Sequence, residues 1–171
     1  VRPVLEALKA KGISVKYDNR DTHKPGFKFN EYELKGVPVR LAIGPRDMEN
    51  KTFEVARRDT LEKQVIPSEG IADHIASLLE QMQQAIYDKA AAFRDDHITE
   101  VNSYEEFKEV LNTRGGFVSA HWDGTDATEQ RIKDETKATI RCIPLDPVAD
   151  PGTCVVTGKP ASYRVLFAKA Y

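Results

Sequence analysis

Apolar residues occupy every second position of residues 37–43, a period that predicts a β-strand with one buried face. Residues 27–35 predict a short helix, because Pro25-Gly26 interrupts the preceding segment and Gly36 suits the left-handed end of a helix. Gly44-Pro45 predicts a turn that ends the strand. A helix followed directly by a strand is therefore the central feature of the chain.

The segments around this feature predict further helices and strands. Residues 1–11 have the apolar spacing of a helix that ends at Gly12, and residues 13–17 predict a short strand. Residues 52–57 and 62–66 alternate on either side of a turn and predict a hairpin. Helices alternating with strands indicate an α/β fold.

A long helix separates this region from the rest of the chain. Apolar residues recur at helical spacing from Ile71 to Phe93, for about seven turns. We expect the helix to begin at Pro67-Ser68-Glu69, to end at Asp95-Asp96-His97, and to link two domains. The predicted division is residues 1–66, 67–99 and 100–171.

The last third of the chain predicts a small α+β domain. Ser103 is followed by Glu106 in the spacing of a capping box, which marks the start of a helix. Another helix is predicted over residues 126–137, strands over 117–122, 139–144, 153–156 and 162–168, and a loop over 146–152. The expected core comprises Phe117, Trp122, Ile140, Ile143, Val165 and Phe167.

Composition narrows the class of protein. Hydrophobic residues make up 40% and charged residues 30%, and no apolar run approaches membrane-spanning length. Cys142 and Cys154 give no disulfide framework, so we expect a cytoplasmic protein. Residues 1–66 hold 14 Lys/Arg against 10 Asp/Glu, although the whole chain has a net charge of −2. A basic N-terminal region is typical of a domain that approaches nucleic acid.

Four side chains of the central helix and strand form a candidate site. Phe29 and Glu33 share a helix face, Arg40 points away from the apolar side of the strand, and Arg46 follows the strand. An unpaired guanine stacks on aromatic rings, its two adjacent N–H donors suit a carboxylate, and its other acceptors suit arginine. The spacing alone favours a plainer alternative, with Phe29 in the core, Glu33 and Arg40 as a surface ion pair, and Arg46 solvated.

Several motifs resemble the anticodon-binding domain of prolyl-tRNA synthetases. They are Arg20-Asp21-Thr22-His23-Lys24-Pro25-Gly26, Lys28-Phe29, Glu33-Leu34-Lys35-Gly36-Val37-Pro38 and Gly44-Pro45-Arg46-Asp47. Gly158-Lys159-Pro160 and residues 165–171 resemble the C-terminal domain of the same enzymes. The resemblance implies that Phe29, Glu33, Arg40 and Arg46 contact the two guanines of the proline anticodon. Lys28, Lys51 and Arg57 are further candidates, for tRNA phosphates.

The resemblance also implies a fold and an activity. The fold is a mixed-sheet class II anticodon-binding domain without its first strand, followed by the α+β domain. The parent would be a homodimeric cytoplasmic ligase that uses ATP and magnesium to join L-proline to tRNA(Pro), with no membrane contact. Its catalytic domain would precede Val1, so we expect no catalytic residue or cofactor in this piece. The alternatives are a non-catalytic interaction module on the same fold, and a small-molecule enzyme with a concave polar pocket.

In some relatives the C-terminal domain binds zinc through two cysteine pairs. The corresponding positions hold Trp122, Asp123 and Thr128, and then Cys154-Val155-Val156-Thr157, with a single thiol. Structural zinc needs four good ligands, so we predict no metal site. The remaining alternative is a set made of Cys154, Cys142, His121 and Asp123. We expect the terminal Tyr171 to be loose or packed locally.

Overall fold

The computed structural model describes residues 1–145 and 149–170, which form two compact units, Val1–Lys89 and Ala90–Tyr171. Part of the predicted loop over residues 146–152 and the terminal Tyr171 lie outside the described residues. The boundary between the units falls within a long helix, and the predicted three-part division stays a prediction. No described helix combines the length and apolarity that a membrane crossing requires.

The helices that begin in unit 1 are α1 (Arg2–Ala10), α2 (Pro25–Leu34), α3 (Pro45–Asn50) and α4 (Ile71–Asp96). Three of them confirm the predicted helices, and Gly36 ends α2 with a φ of 76°. The start predicted for the long helix at Pro67-Ser68-Glu69 is wrong, because Pro67 ends β3 and the chain turns before α4 begins at Ile71. The strand ends before Gly44-Pro45, as predicted, but these residues are not a simple turn, because Gly44 is the N-cap and Pro45 the first residue of α3. The amide of Gly44 donates to the carboxylate of Asp47 at 2.8 Å, which caps the helix and places Arg46 on it.

The sheet of unit 1 contains β1 (Val39–Ala42), β2 (Thr52–Arg57) and β3 (Lys63–Pro67), antiparallel in that order. The predicted hairpin is therefore confirmed. The strand predicted over residues 13–17 is wrong, since that segment joins no sheet within the described chain. Ile13 and Val15 instead pack against the apolar core, which accounts for their alternation without a strand partner.

The core of unit 1 lies on one face of this sheet. Phe53 and Val55 of β2 are buried together with Leu8 of α1 and the apolar face of α4. Successive strand residues point to opposite faces, so Glu54 and Ala56 face away from this core. Arg40 lies opposite Ala56 in the ladder and therefore shares their face. The candidate site is built on that second face.

Unit 2 is an α+β arrangement, as predicted. Its elements are β4 (Ile98–Glu100), α5 (Tyr104–Thr113), β5 (Phe117–His121), α6 (Asp126–Thr136), β6 (Ala138–Cys142), β7 (Gly152–Thr153), β8 (Pro160–Ala161) and β9 (Arg164–Lys169). The main sheet is mixed, in the order β4-β5-β9-β6, with β4 parallel to β5 and the other pairs antiparallel. The α/β class and a mixed sheet are confirmed. The mixed sheet lies in this unit, however, whereas it was predicted for the anticodon-binding domain, where the described strands pair only antiparallel.

The core of unit 2 corrects part of the prediction. Val165 and Phe167 are fully buried, and Trp122 and Ile140 pack at its edge. Phe117 and Ile143 are 38% and 49% exposed, because one begins β5 and the other follows β6. The strand predicted over residues 153–156 is wrong beyond Thr153, since the next residues turn, and the amide of Gly158 donates to the carbonyl of Cys154 at 2.9 Å.

Candidate nucleic-acid interface

Phe29, Glu33 and Arg40 come together on the outer face of the unit 1 sheet. The guanidinium of Arg40 lies over the ring of Phe29, 3.7 Å from its centroid. Its Nη1 donates to Oε1 of Glu33 at 3.1 Å, and its Nη2 lies 3.6 Å from Oε1 of Glu54. Phe29 and Glu33 meet Arg40 because they are one helical turn apart on α2. We call these four residues the Arg40 cluster.

The cluster combines an ion pair with an incomplete set of hydrogen bonds. The side chain of Arg40 is only 16% exposed, whereas that of Glu33 is 52% exposed. Each carboxylate oxygen has two lone pairs, so Glu33 can still accept two N–H donors while Arg40 holds Oε1. The Nε of Arg40 is buried and has no hydrogen-bond partner in the described structure. Arg40 therefore orients the carboxylate of Glu33 and leaves it able to accept further hydrogen bonds.

Arg40 also changes how the site can stack a base. One face of the half-buried Phe29 ring is covered by the guanidinium. A base can still stack, because guanidinium planes as well as aromatic rings act as stacking surfaces. The ion pair of the plainer alternative is thus present, while Phe29 lies at the surface of unit 1 and outside its buried core.

Two of the other candidate cations are exposed. Arg46 lies on α3, and Lys51 follows that helix in a left-handed conformation with a φ of 53°. Neither side chain has a hydrogen bond or ion pair among the residues that the structure describes. The structure does not join Arg46 to the Arg40 cluster by any described polar contact. Both cations are nevertheless free to meet a phosphate.

The remaining phosphate candidates already have protein partners. The ammonium of Lys28 donates to the carbonyl of Arg20 and lies 3.7 Å from Asp18. Arg57 forms two hydrogen bonds with Asp59, at 3.0 and 2.7 Å. These bonds raise the pKa of Arg57 and lower the pKa of Asp59. Lys28 and Arg57 would have to exchange these partners in order to bind a phosphate.

A group of ion pairs fastens the segment before α2 to that helix. Arg20 donates to Asp18 at 2.9 and 2.6 Å and to Glu31 at 2.6 Å, and Lys35 donates to Glu31 at 2.5 Å. Hydrogen bonds from Lys35 and Arg20 lower the pKa of Glu31 to about 2. Sequence reasoning missed the roles of Asp18 and Glu31, although the four-residue spacing of Glu31 and Lys35 was a usable signal.

Two family models divide the chain between them. A model described as "Anticodon binding domain" matches residues 1–78, and one described as "Prolyl-tRNA synthetase, C-terminal" matches residues 104–171. Residues 104–171 are thus similar to a domain of prolyl-tRNA synthetases, and residues 1–78 to an anticodon-binding domain. The Arg40 cluster lies wholly within the anticodon-binding match. The two matched regions agree with the predicted order of the domains.

Several proline–tRNA ligases are similar to this chain over its whole length. It is 66% identical over 171 residues to a proline–tRNA ligase of Flavobacterium johnsoniae and 59% identical over 171 residues to one of Cytophaga hutchinsonii. It is also 61% identical over 168 residues, 98% of this chain, to one of Porphyromonas gingivalis. These alignments cover only 34–35% of the relatives, so the chain spans about a third of their length.

The residues at the positions that the resemblance implies for zinc in some relatives do not fit a structural zinc. The carboxylate of Asp123 accepts hydrogen bonds from three threonine hydroxyls, those of Thr125 at 2.8 Å, Thr128 at 3.0 Å and Thr157 at 2.9 Å. Burial alone would raise the pKa of Asp123, but these hydrogen bonds outweigh it and lower the pKa. Cys154 is buried and supplies one thiol. One thiol and hydroxyl groups do not make the four-ligand set that zinc requires.

The alternative zinc set is not assembled either. His121 is held through Nε2 by the carbonyl of Asp150 at 2.7 Å, and Cys142 is exposed on β6. No group of three or more His, Cys, Asp or Glu residues could hold a metal ion within residues 1–145 and 149–170. The absence of bound metal in solution stays a prediction, supported by this donor set.

Proposed function

We propose that this chain provides the anticodon-recognising and C-terminal part of a cytoplasmic proline–tRNA ligase. The parent enzyme would join L-proline to tRNA(Pro) with ATP and magnesium, using a catalytic domain that is not in this chain. The Arg40 cluster, within the anticodon-binding match, carries the proposal. We expect the chain to be inactive by itself and the parent to form a homodimer.

The cluster suits one guanine of the anticodon. The Watson–Crick edge of guanine presents two adjacent N–H donors, and the carboxylate of Glu33 accepts both while Arg40 holds it in place. The stacked Phe29 and Arg40 provide a flat surface for the base. Arg46 and Lys51, both exposed, are placed to meet phosphates, which orient the RNA without reading its sequence.

The test compares two RNAs with the same fold. Binding of the chain to tRNA(Pro) is measured against the same tRNA with its two anticodon guanines replaced, at two salt concentrations. A loss of affinity on replacement that persists at the higher salt supports base recognition. Equal binding of both RNAs that disappears with salt would contradict the proposal, because only phosphate charge would then be sensed.

A further inference from the structure

The last residue of β9 in unit 2 breaks the apolar pattern of that strand. Val165 and Phe167 are fully buried in the core with residues of α5 and α6, and Lys169 lies on their face because side chains alternate along a strand. An apolar residue would continue the core at this position. The ammonium of Lys169 instead donates to Oδ1 of Asn112, near the end of α5, at 2.7 Å. This end of the core is therefore closed by a cation with a fixed partner.

A second lysine lies at the same end of the core. Lys137 directly follows α6 and has a φ of 65°. Glycine and asparagine adopt this left-handed conformation more readily than lysine, so the backbone does not account for a lysine here. The next residue, Ala138, pairs with Lys169 in the ladder between β6 and β9. The two lysines are therefore close neighbours on adjacent strands.

Lys137 and Lys169 line a depression of about 140 Å³. The other lining residues come from α5 and α6, and they are Lys108, Leu111, Asn112, Glu135 and Thr136. We call it the lysine depression. Its volume is well below the range of roughly 300–1,000 Å³ that is usual for organic ligands. It is therefore of a size for a small ion and too small for a nucleotide.

The charges that line the depression do not balance. Three of the lining residues are lysines and one is a carboxylate, which leaves a surplus of two positive charges. The carboxylate of Glu135 accepts from Lys108 at 2.8 Å and also from Arg131, which lies outside the depression, at 2.8 Å. Hydrogen bonds from Arg131 and Lys108 lower the pKa of Glu135 to about 2. Glu135 is thus already shared by two cations, and the surplus charge belongs mainly to Lys137 and Lys169.

The lysines also keep hydrogen-bond donors that the protein does not use. Each ammonium group has three N–H donors. Lys137 uses one on the carbonyl of Asp134 at 3.3 Å and Lys169 uses one on Asn112, so both are bonded only to neutral oxygens among the described residues. The bond of Lys137 also stabilises the C-terminal end of α6, as a cation does near the last carbonyls of a helix. That explanation does not extend to Lys169, which lies on a strand.

We propose that the lysine depression binds one phosphate dianion, either free phosphate or the terminal phosphate of a phosphomonoester. Such a group carries a charge of about −1.5 to −2 at pH 7 and three strong acceptor oxygens, which match the surplus charge and the spare donors. A phosphodiester, with a single charge, would leave half of the surplus. Lys137 and Lys169 are the main ligands, and Lys108 contributes from the side of Glu135. The site lies in unit 2 and goes beyond the proposed function, which depends on the Arg40 cluster of unit 1.

The test is a titration of the full ¹⁵N-labelled chain with sodium phosphate at constant ionic strength, without RNA. We expect the amide signals of residues 137, 138 and 169 to shift and to saturate. Lys137→Gly removes an ammonium group and suits the positive φ, so it should be at least as thermally stable as the wild type without phosphate. Lys137→Gly and Lys169→Gln should each weaken phosphate binding about tenfold, the effect of losing one charge-assisted hydrogen bond.

Lys133→Gln is the matched control, because Lys133 is exposed on α6, does not line the depression, and its substitution removes the same charge. Its phosphate affinity should equal that of the wild type. Equal weakening in all three variants would overturn the inference, because binding would then follow net charge, and so would the absence of saturable shifts at residues 137, 138 and 169.

Two further anions identify the source of the phosphate. Methyl phosphate is a monoester dianion, and dimethyl phosphate is a diester with one charge. Binding of methyl phosphate as tightly as inorganic phosphate would support a site for phosphomonoesters, and binding of inorganic phosphate alone would support a site for the free ion. Dimethyl phosphate should bind at least tenfold more weakly, and equal binding of it would overturn the assignment of a dianion. None of these results bears on guanine discrimination, so the proposed function stands or falls separately.

Discussion

At the scale of single residues, the proposed function assigns the preference for guanine to Glu33. Glu33→Ala removes the acceptor for the two guanine N–H groups, and a bidentate base contact is worth about 1–3 kcal/mol of discrimination. We expect binding of the guanine-containing RNA to fall by that amount and binding of the guanine-replaced RNA to change little. Equilibrium binding of the two RNAs at one salt concentration measures the difference.

The matched variant Glu33→Gln keeps the shape and one acceptor oxygen but presents an N–H₂ group to the base. It should lose nearly as much discrimination as Glu33→Ala, because the amide donor meets a donor of guanine. Equal losses for both RNAs in either variant would show that Glu33 supports the fold of α2 and does not read a base.

Local sequence predicted only some of the contacts within the Arg40 cluster. The four-residue spacing of Phe29 and Glu33 and the alternation of the strand place both beside Arg40, as observed. The contact of Arg40 with Glu54 depends on the register between β1 and β2, which no local pattern specifies. Arg46 was predicted only to follow the strand, because the side chain of Asp47, which caps α3, was not recognised as a helix signal.

At the scale of elements, the ion pairs of Arg20 and Glu31 give α2 a dependence on pH. Hydrogen bonds from Lys35 and Arg20 lower the pKa of Glu31 from its usual 4.5 to about 2, so the ionised carboxylate stabilises the folded state above the unfolded pKa. This contribution is lost as the pH falls through the folded pKa. Glu31→Gln should therefore lower the urea midpoint at pH 7, and its difference from the wild type should shrink between about pH 4.5 and pH 2.

Glu49→Gln is the control for this experiment, because Glu49 is exposed on α3 and has no ion pair in the described structure. Its urea midpoint should follow that of the wild type at every pH. A difference between Glu31→Gln and the wild type that stays constant down to pH 2 would contradict the electrostatic explanation.

The second prediction at this scale concerns Asp123, which joins the start of α6 to the turn at Thr157. Asp123→Ala leaves three threonine hydroxyls without their acceptor, and a hydrogen bond to a charged group contributes about 1.5–3 kcal/mol. We expect the thermal midpoint of unfolding to fall in Asp123→Ala and less in Asp123→Asn.

Because the donor set does not fit zinc, a chelator should leave the wild-type midpoint unchanged. A fall in that midpoint on chelation, reversed by zinc, would refute the metal-free interpretation.

Helices and strands differ in how well the sequence predicted them, because helices depend on local interactions and strands on pairing between distant segments. Most helices, though not the short α3, were predicted well, because their period and caps lie in neighbouring residues, as in the bond from the amide of Glu106 to Ser103 at 3.2 Å. Strands were predicted less well, because pairing joins distant segments. Residues 13–17 alternate like a strand but pair with none in the described chain, and the three-residue β4 is too short to show a period.

At the scale of the whole molecule, charge is distributed to suit an RNA partner at one end. Residues 1–66 carry a surplus of four positive charges, whereas the whole chain has a net charge of −2. With Arg46 and Lys51 as the exposed candidate cations, about two phosphate contacts predict a slope near −1.4 for log affinity against log salt on a single-stranded loop. Lys51→Ala should reduce that slope by about 0.7 and lower the affinity for both RNAs equally.

The ratio of affinities for guanine-containing and guanine-replaced RNA should stay constant across the salt titration, because base contacts release no counterions. A slope several times steeper, with a ratio that falls to one, would mean that the chain binds RNA by charge over a broad surface, and Glu33 would then have no part in selection.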